Sequence, residues 1–177
     1  MNRNIEMKAR VACFDKMQAM LEALSDAPCQ VLDQEDTFFR TSSGRLKLRI
    51  IPGRDAEIIY YERPDVPELR ESCYLRYPVF DPALLHRVMS AALGVEGVVR
   101  KRRLLYLVGQ TRLHLDTVGN LGTFLEIEVV LTPGQGADEG RRIAEELAGR
   151  LQIAADDLVP CAYVDLLRDA ATLAAKT

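Results

Sequence analysis

No apolar run in the 177-residue chain approaches the length needed to span a bilayer, and its N-terminus lacks the cleavable hydrophobic region of a secretory signal. A soluble, cytoplasmic protein with no membrane partner is expected. Cysteine is sparse and scattered: Cys13, Cys29, Cys73 and Cys161 form no CxxC pair and have no flanking His pattern. Neither a zinc site nor a disulfide framework is indicated, so the four read as reduced, mostly packing residues. Neither sign of charge dominates. With 23 Lys and Arg against 26 Asp and Glu, the net charge of -3 argues against a general nucleic-acid binder, and only a locally concentrated basic surface would matter. No linker, repeat or low-complexity segment divides the chain, which is expected to form a single domain over residues 1–177, long enough to bury its own core.

What the chain does contain is a succession of short alternating runs. "NIEMKARV" opens it, and "FDKMQAMLEAL" follows with Phe14, Met17, Leu21 and Leu24 at helical spacing. Four runs rich in β-branched and aromatic residues come next, "QVLDQEDTFFR", "GRLKLRIIP", "AEIIYYERP" and "ESCYLRYPVF", separated by turn-forming stretches. Asp81-Pro82 starts a second helix that Gly94 stops. "GVVRKRRLLYLV", "TRLHLDTV" and "GTFLEIEVVL" bring the strand count to eight, and two further helices are expected, one from Asp138 onward and one from Tyr163 to Ala174. The fold class is therefore α+β: an eight-stranded antiparallel β-barrel with helices packed outside and at the C-terminus. Such a barrel fills its interior with side chains or holds one ligand.

Charge placement favours a ligand. A strand sends alternate side chains to opposite faces, so Asn4, Glu6 and Lys8 share one side of the first strand. In "GRLKLRI" one face carries Arg45, Lys47 and Arg49 while Leu46, Leu48 and Ile50 occupy the other. Arg112, His114 and Asp116 alternate with Leu113 and Leu115, and Glu126 and Glu128 alternate with Leu125, Ile127 and Val129. Solvated faces usually mix polar types, whereas here one strand is wholly basic and another supplies only a paired acid. If the apolar faces pack against the helices, the charged faces point inward and line a tunnel. Guanidinium and ammonium groups with a local carboxylate cluster suit a polyphosphate and a hard divalent cation. Arg100 with Arg102, and Lys101 with Arg103, form equally basic opposite faces, and periodicity does not choose between them.

On these residues the chain resembles the CYTH superfamily, the triphosphate tunnel metalloenzymes, and looks closest to its class IV adenylate cyclase branch with thiamine-triphosphatase-like relatives. "NIEMK" stands where that family has ExExK, "QEDTFF" matches its second-strand motif and "LKLR" its basic third strand. "VVRKRRLLYLVGQTRLHLDTVGNLGTFLEIE" is similar to its most recognisable block, and "AYVDLL" to its SYxDLL ending. The ordered set covers nearly the whole chain. The resemblance implies a triphosphate tunnel in which Glu6, Asp116, Glu126 and Glu128 bind Mg²⁺ or Mn²⁺. It implies that Lys8, Arg45, Lys47, Arg49, Lys101, Arg103 and Arg112 hold phosphate oxygens, selecting Lys101 and Arg103 over their neighbours. Glu6, Lys8, Glu126 and Glu128 would be the catalytic set, and Arg76 a further lining residue. The partner it implies is a nucleotide or another small molecule bearing a triphosphate, and paired strands with outer helices would permit a homodimer.

Three positions depart from the family pattern. Asn4 stands at the first Glu of ExExK and removes one carboxylate. Glu62-Arg63 replaces a Lys-Gly pair, leaving Arg63 to supply a basic contact, and Ala162 replaces the Ser before Tyr163. The activity implied is conversion of ATP to cyclic AMP and pyrophosphate. The alternatives are hydrolysis of inorganic or organic triphosphates, thiamine triphosphate and nucleotides included, and a module that binds triphosphate or polyphosphate without turning it over. His114 is read as an accessory tunnel residue and His86 as solvated, with Tyr60, Tyr61 and Tyr74 available to touch a base or ribose.

Overall fold

The computed structural model describes residues 1–175. β1 (Asn2–Arg10) leads into α1 (Phe14–Leu24), and β2 (Gln30–Phe39), β3 (Arg45–Ile50), β4 (Ala56–Glu62) and β5 (Arg70–Val79) follow as a meander. After α2 (Pro82–Leu93) a second meander runs through β6 (Val95–Val108), β7 (Thr111–Val118) and β8 (Gly122–Val130). The chain ends in α3 (Ala137–Arg150), a short 3₁₀ turn at Ala155–Asp157, and α4 (Tyr163–Ala174). Every pairing is antiparallel, and the order β1-β5-β4-β3-β2-β6-β7-β8 closes into a barrel.

Two seams join the meanders. β1 lies between β5 and β8, with Glu6 opposite Glu128 and Lys8 opposite Glu126, and β2 pairs with β6 on the far side. The apolar faces of β1, β7 and β8 point outward, where Ile5, Met7, Leu113, Leu115, Leu125 and Ile127 pack with Leu21 of α1 and Ala144 and Leu147 of α3. The hydrophobic core thus lies between barrel wall and helices, and the barrel interior is left to the charged faces. α2 covers Phe39, Leu48 and Ala56 with Leu85 and Met89. It begins where Asp81 accepts a hydrogen bond from the Leu84 N–H at 2.9 Å and Pro82 fixes the first turn, and it ends at Gly94, whose φ of 76° an L side chain adopts only with strain.

α4 closes one end of the barrel. Ala162, Tyr163 and Val164 pack on Phe38, Val99, Val118 and Phe124, residues at the β1 C-terminal end of the interior. Gly97 of β6 allows this approach, because a Cβ there would lie 2.8 Å from a Val164 methyl. No helix among the described residues is long and apolar enough to cross a membrane.

Candidate active site

The inward faces of all eight strands, with Ala162 and Tyr163 at the closed end, line one cavity. Eight basic side chains border it: Lys8, Lys47, Arg49, Arg63, Arg76, Lys101, Arg103 and Arg112. Only four acidic ones do: Glu6, Asp36, Glu126 and Glu128. Pairing organises this charge. Asp36 accepts hydrogen bonds from Arg49 Nε at 2.9 Å and Nη2 at 3.0 Å, from Lys47 Nζ at 2.9 Å and from Gln34 Nε2 at 3.0 Å. Burial favours the neutral acid at Asp36, but Arg49 and Lys47 outweigh it and hold the carboxyl far below its ordinary range. Burial pushes the Lys47 ammonium down to about 8, helped by Arg49 and opposed by Asp36.

On the opposite wall, Glu126 receives Arg103 Nη2 at 2.6 Å and has Lys8 Nζ at 3.3 Å. Burial alone would raise this carboxyl, and Lys101 and Lys8 hold it well below the usual range. Lys8 is itself lowered to about 8 by burial; it donates to the Cys161 carbonyl at 3.1 Å and sits 3.7 Å from the centre of the Tyr163 ring. Glu128 faces Arg112 at 3.6 Å, and Arg112 Nη2 donates to Tyr74 Oη at 3.2 Å. Glu6 accepts from Arg63 Nη1 at 2.9 Å, with the fully buried Arg70 behind it at 3.5 Å. Burial dominates at Glu6 and raises its carboxyl despite Arg63.

The structure brings Glu6, Lys8, Lys47, Arg49, Arg76, Lys101, Arg103, Arg112, Glu126 and Glu128 to the lining of one cavity. Lys101 and Arg103 are buried on the inner face while Arg100 and Arg102 are exposed. Two expected residues lie elsewhere. Arg45 is turned to the helix end, where Nη2 bonds Asp165 of α4 at 2.9 Å and also pairs with Asp65. Asp116 is withdrawn behind the wall: it bonds Lys101 Nζ at 2.7 Å, Arg103 Nε at 2.7 Å and Tyr163 Oη at 3.1 Å. It positions the two cations and is joined to Glu126 of β8 through Arg103 Nη2, which lies 2.6 Å from an oxygen of each. Tyr61 and Tyr74 line the cavity; Tyr60 faces outward against Gly44. Asp36 and Arg70 were not singled out from the sequence. The alternation Gln34, Asp36, Phe38 in "QEDTFF" was the available signal for Asp36, and the β2–β3 register that places it opposite Arg49 gives it meaning.

Among the described residues, His114, Glu126 and Glu128 form a set whose donor atoms lie within 4.8 Å of one another. His114 Nδ1 is buried, has no hydrogen-bond partner and lies 3.6 Å from an oxygen of each glutamate. Two carboxylates and an unpartnered imidazole nitrogen facing one point fit a divalent cation. Two β8 acids and the basic walls opposite can therefore hold a metal and a chain of phosphates side by side.

A family model described as CYTH domain matches residues 2–163. The PH1012 protein of Pyrococcus horikoshii OT3 is 32% identical, with a TM-score of 0.82 over 94% of this chain and 99% of its own. A candidate adenylate cyclase from Vibrio parahaemolyticus superposes with a TM-score of 0.76 at 19% identity, covering 93% of this chain and 97% of that one. A Hippeastrum protein, described as a candidate adenylyl cyclase with a dominant triphosphatase activity, reaches a TM-score of 0.67 at 14% identity, over 96% of each chain. The last two likenesses concern the fold alone. Comparison with curated proteins returns no match.

Proposed function

The chain belongs to the CYTH domain family, and on that premise we propose that it is a metal-dependent enzyme acting on a small molecule that carries a triphosphate. The observation that carries this reading is the concentration of eight basic side chains against four acidic ones on the lining of one cavity, an excess that Asp116 behind Lys101 and Arg103 and Glu57 on Arg76 reduce without cancelling. Two inner phosphates and a terminal one carry roughly four negative charges at neutral pH. A divalent cation, Mg²⁺ or Mn²⁺, held by Glu126 and Glu128 would neutralise phosphate oxygens and polarise the phosphorus they surround.

The chain's own side chains do the positioning. Lys47 and Arg49 from β3, with Lys101 and Arg103 from β6, would grip phosphate oxygens from the side opposite β8. Asp116 and Tyr163 hold Lys101 and Arg103 in place, so these donors are oriented before substrate arrives. Lys8, packed on the Tyr163 ring, would meet the phosphate that travels deepest. The α4 plug keeps the inner end dry, which strengthens each of these interactions. Phosphoryl chemistry here would depend on orientation and charge stabilisation.

Attack by a nucleotide's own 3'-hydroxyl on the α-phosphorus gives cyclic AMP and pyrophosphate from ATP, the reaction of a class IV-like adenylate cyclase and the one assigned here. Hydrolysis is the second reading, favoured by the activity described for the Hippeastrum neighbour. Purified protein incubated with ATP, inorganic triphosphate and thiamine triphosphate, with Mg²⁺ or Mn²⁺, decides between them by product. Cyclic AMP supports the cyclase and orthophosphate the hydrolase. Tight binding without product from any of the three would overturn the enzyme reading in favour of a triphosphate receptor.

A further inference from the structure

We propose that His114 is a direct ligand of the cation held by Glu126 and Glu128, and that its nitrogen makes this centre favour Mn²⁺ over Mg²⁺. The proposal rests on the metal reading above and adds a donor and a selectivity to it. β7 and β8 pair so that His114 stands opposite Glu126, with Glu128 two residues along the same inward face. The His114 side chain is 4% exposed. Its Nδ1 lies 3.6 Å from Glu126 Oε2 and 3.6 Å from Glu128 Oε1. Both separations are too long for hydrogen bonds, and Nδ1 has no other partner among the described residues.

A ring nitrogen buried beside two carboxylates and bonded to neither needs something between them. Donors sharing one ion at about 2.1 Å stand roughly 3.0–3.5 Å apart, close to the spacing found. Glu126 already has cations nearer than the imidazole, while at Glu128 the arginine stands no nearer than the ring nitrogen. Arg103 and Lys8 serve Glu126, and Arg112 faces Glu128.

The β1 side offers less. Glu6 is drawn to Arg63 at 2.9 Å and lies outside the three-donor set, while Asn4 presents a neutral amide whose Oδ1 is buried and without a hydrogen bond. The donor set is therefore two oxygens and one nitrogen. Mg²⁺ is met almost entirely by oxygen ligands, whereas Mn²⁺ and the later divalent ions accept imidazole more readily.

The chain has only two histidines, and His86 sits on α2 away from the cavity, so a nitrogen signal from bound metal can be assigned. Full-length protein loaded with one equivalent of Mn²⁺ should show ¹⁴N modulation in pulsed electron paramagnetic resonance. That modulation should persist in H86Q and vanish in H114Q. Equilibrium Mn²⁺ binding with Mg²⁺ competition should show the Mn²⁺ preference falling on the order of tenfold in H114Q. Absence of nitrogen coupling in the wild-type protein, or an unchanged preference in H114Q, overturns the proposal. E126Q and E128Q separate the two levels. If they retain wild-type Mn²⁺ affinity, the metal reading itself fails; if they lose it while no nitrogen coupling is seen, only the role of His114 fails.

Discussion

Lys47 and Arg49 share a single counter-ion, and Asp36 has almost no water with which to replace them. Replacing it leaves two cations facing each other in a poorly solvated wall. D36N is expected to lower stability by about 3 kcal/mol in urea unfolding, and added inorganic triphosphate should recover more stability in D36N than in wild type. Lys47 also sets a pH dependence. Because its ammonium is lowered to about 8, an anion that requires it charged binds fully below that pH and loses affinity as pH rises through it. Between pH 7 and 9 this one group accounts for about a tenfold loss in triphosphate affinity, and K47R, which stays charged, should remove that share when binding is followed by calorimetry. The strand alternation in "LKLR" was enough to place Lys47 and Arg49 on one face. The same alternation could not say which cations are already occupied, because that depends on cross-strand register. It grouped Arg45 with Lys47 and Arg49, yet Arg45 lies at the strand end where α4 supplies Asp165. It aligned Asp116 with Arg112 and His114, yet Asp116 is taken by Lys101, Arg103 and Tyr163.

Among the elements, the helices show what local pattern could and could not give. Helical spacing marked α1, the Asp81-Pro82 start and Gly94 stop marked α2, and eight alternating runs marked the strands, since those signals sit within ten or fifteen residues. The placement of α4 across the barrel end was not legible, being fixed by long-range packing on Phe38, Val99 and Phe124. α4 also starts with half a cap. Asp165 reaches back to the Ala162 N–H at 3.1 Å, but Ala162 has no side-chain oxygen to return the bond. A162S is expected to stabilise the protein by about 0.5–1 kcal/mol, read as a raised unfolding midpoint; a lowered midpoint would mean that the hydroxyl does not fit beneath the plug. Gly140 in α3 gives the opposite sign. Alanine ordinarily improves a helix, but a Cβ here would come within 2.6 Å of a Leu131 methyl and 2.8 Å of Ile5 Cγ1. G140A should therefore destabilise by about 1–3 kcal/mol, because α3 cannot otherwise lie so close to β1.

At the scale of the molecule, closure depends on two seams between strands distant in sequence, β1 with β5 and β8, and β2 with β6. Both carry cavity residues, so ligand and barrel stability are linked. Triphosphate at a hundred times its dissociation constant should add about 2.7 kcal/mol, a rise of roughly 5–10 °C in thermal midpoint for a chain of this size. A flat midpoint across a saturating titration would mean that the folded barrel does not bind the anion in preference to the unfolded chain.

The pairing already present inside that barrel has a further consequence. Lys47 and Arg49 lean on Asp36, Arg103 on Glu126 and Asp116, and Arg63 on Glu6, so an arriving phosphate meets cations that already have anionic partners. On the proposed function, the interior would work as an ion exchanger of fixed composition. Binding would trade one set of anionic partners for another, and such a material is expected to discriminate by valence: tripolyphosphate over pyrophosphate, and pyrophosphate over orthophosphate or sulfate, with each singly charged competitor left largely in the bulk.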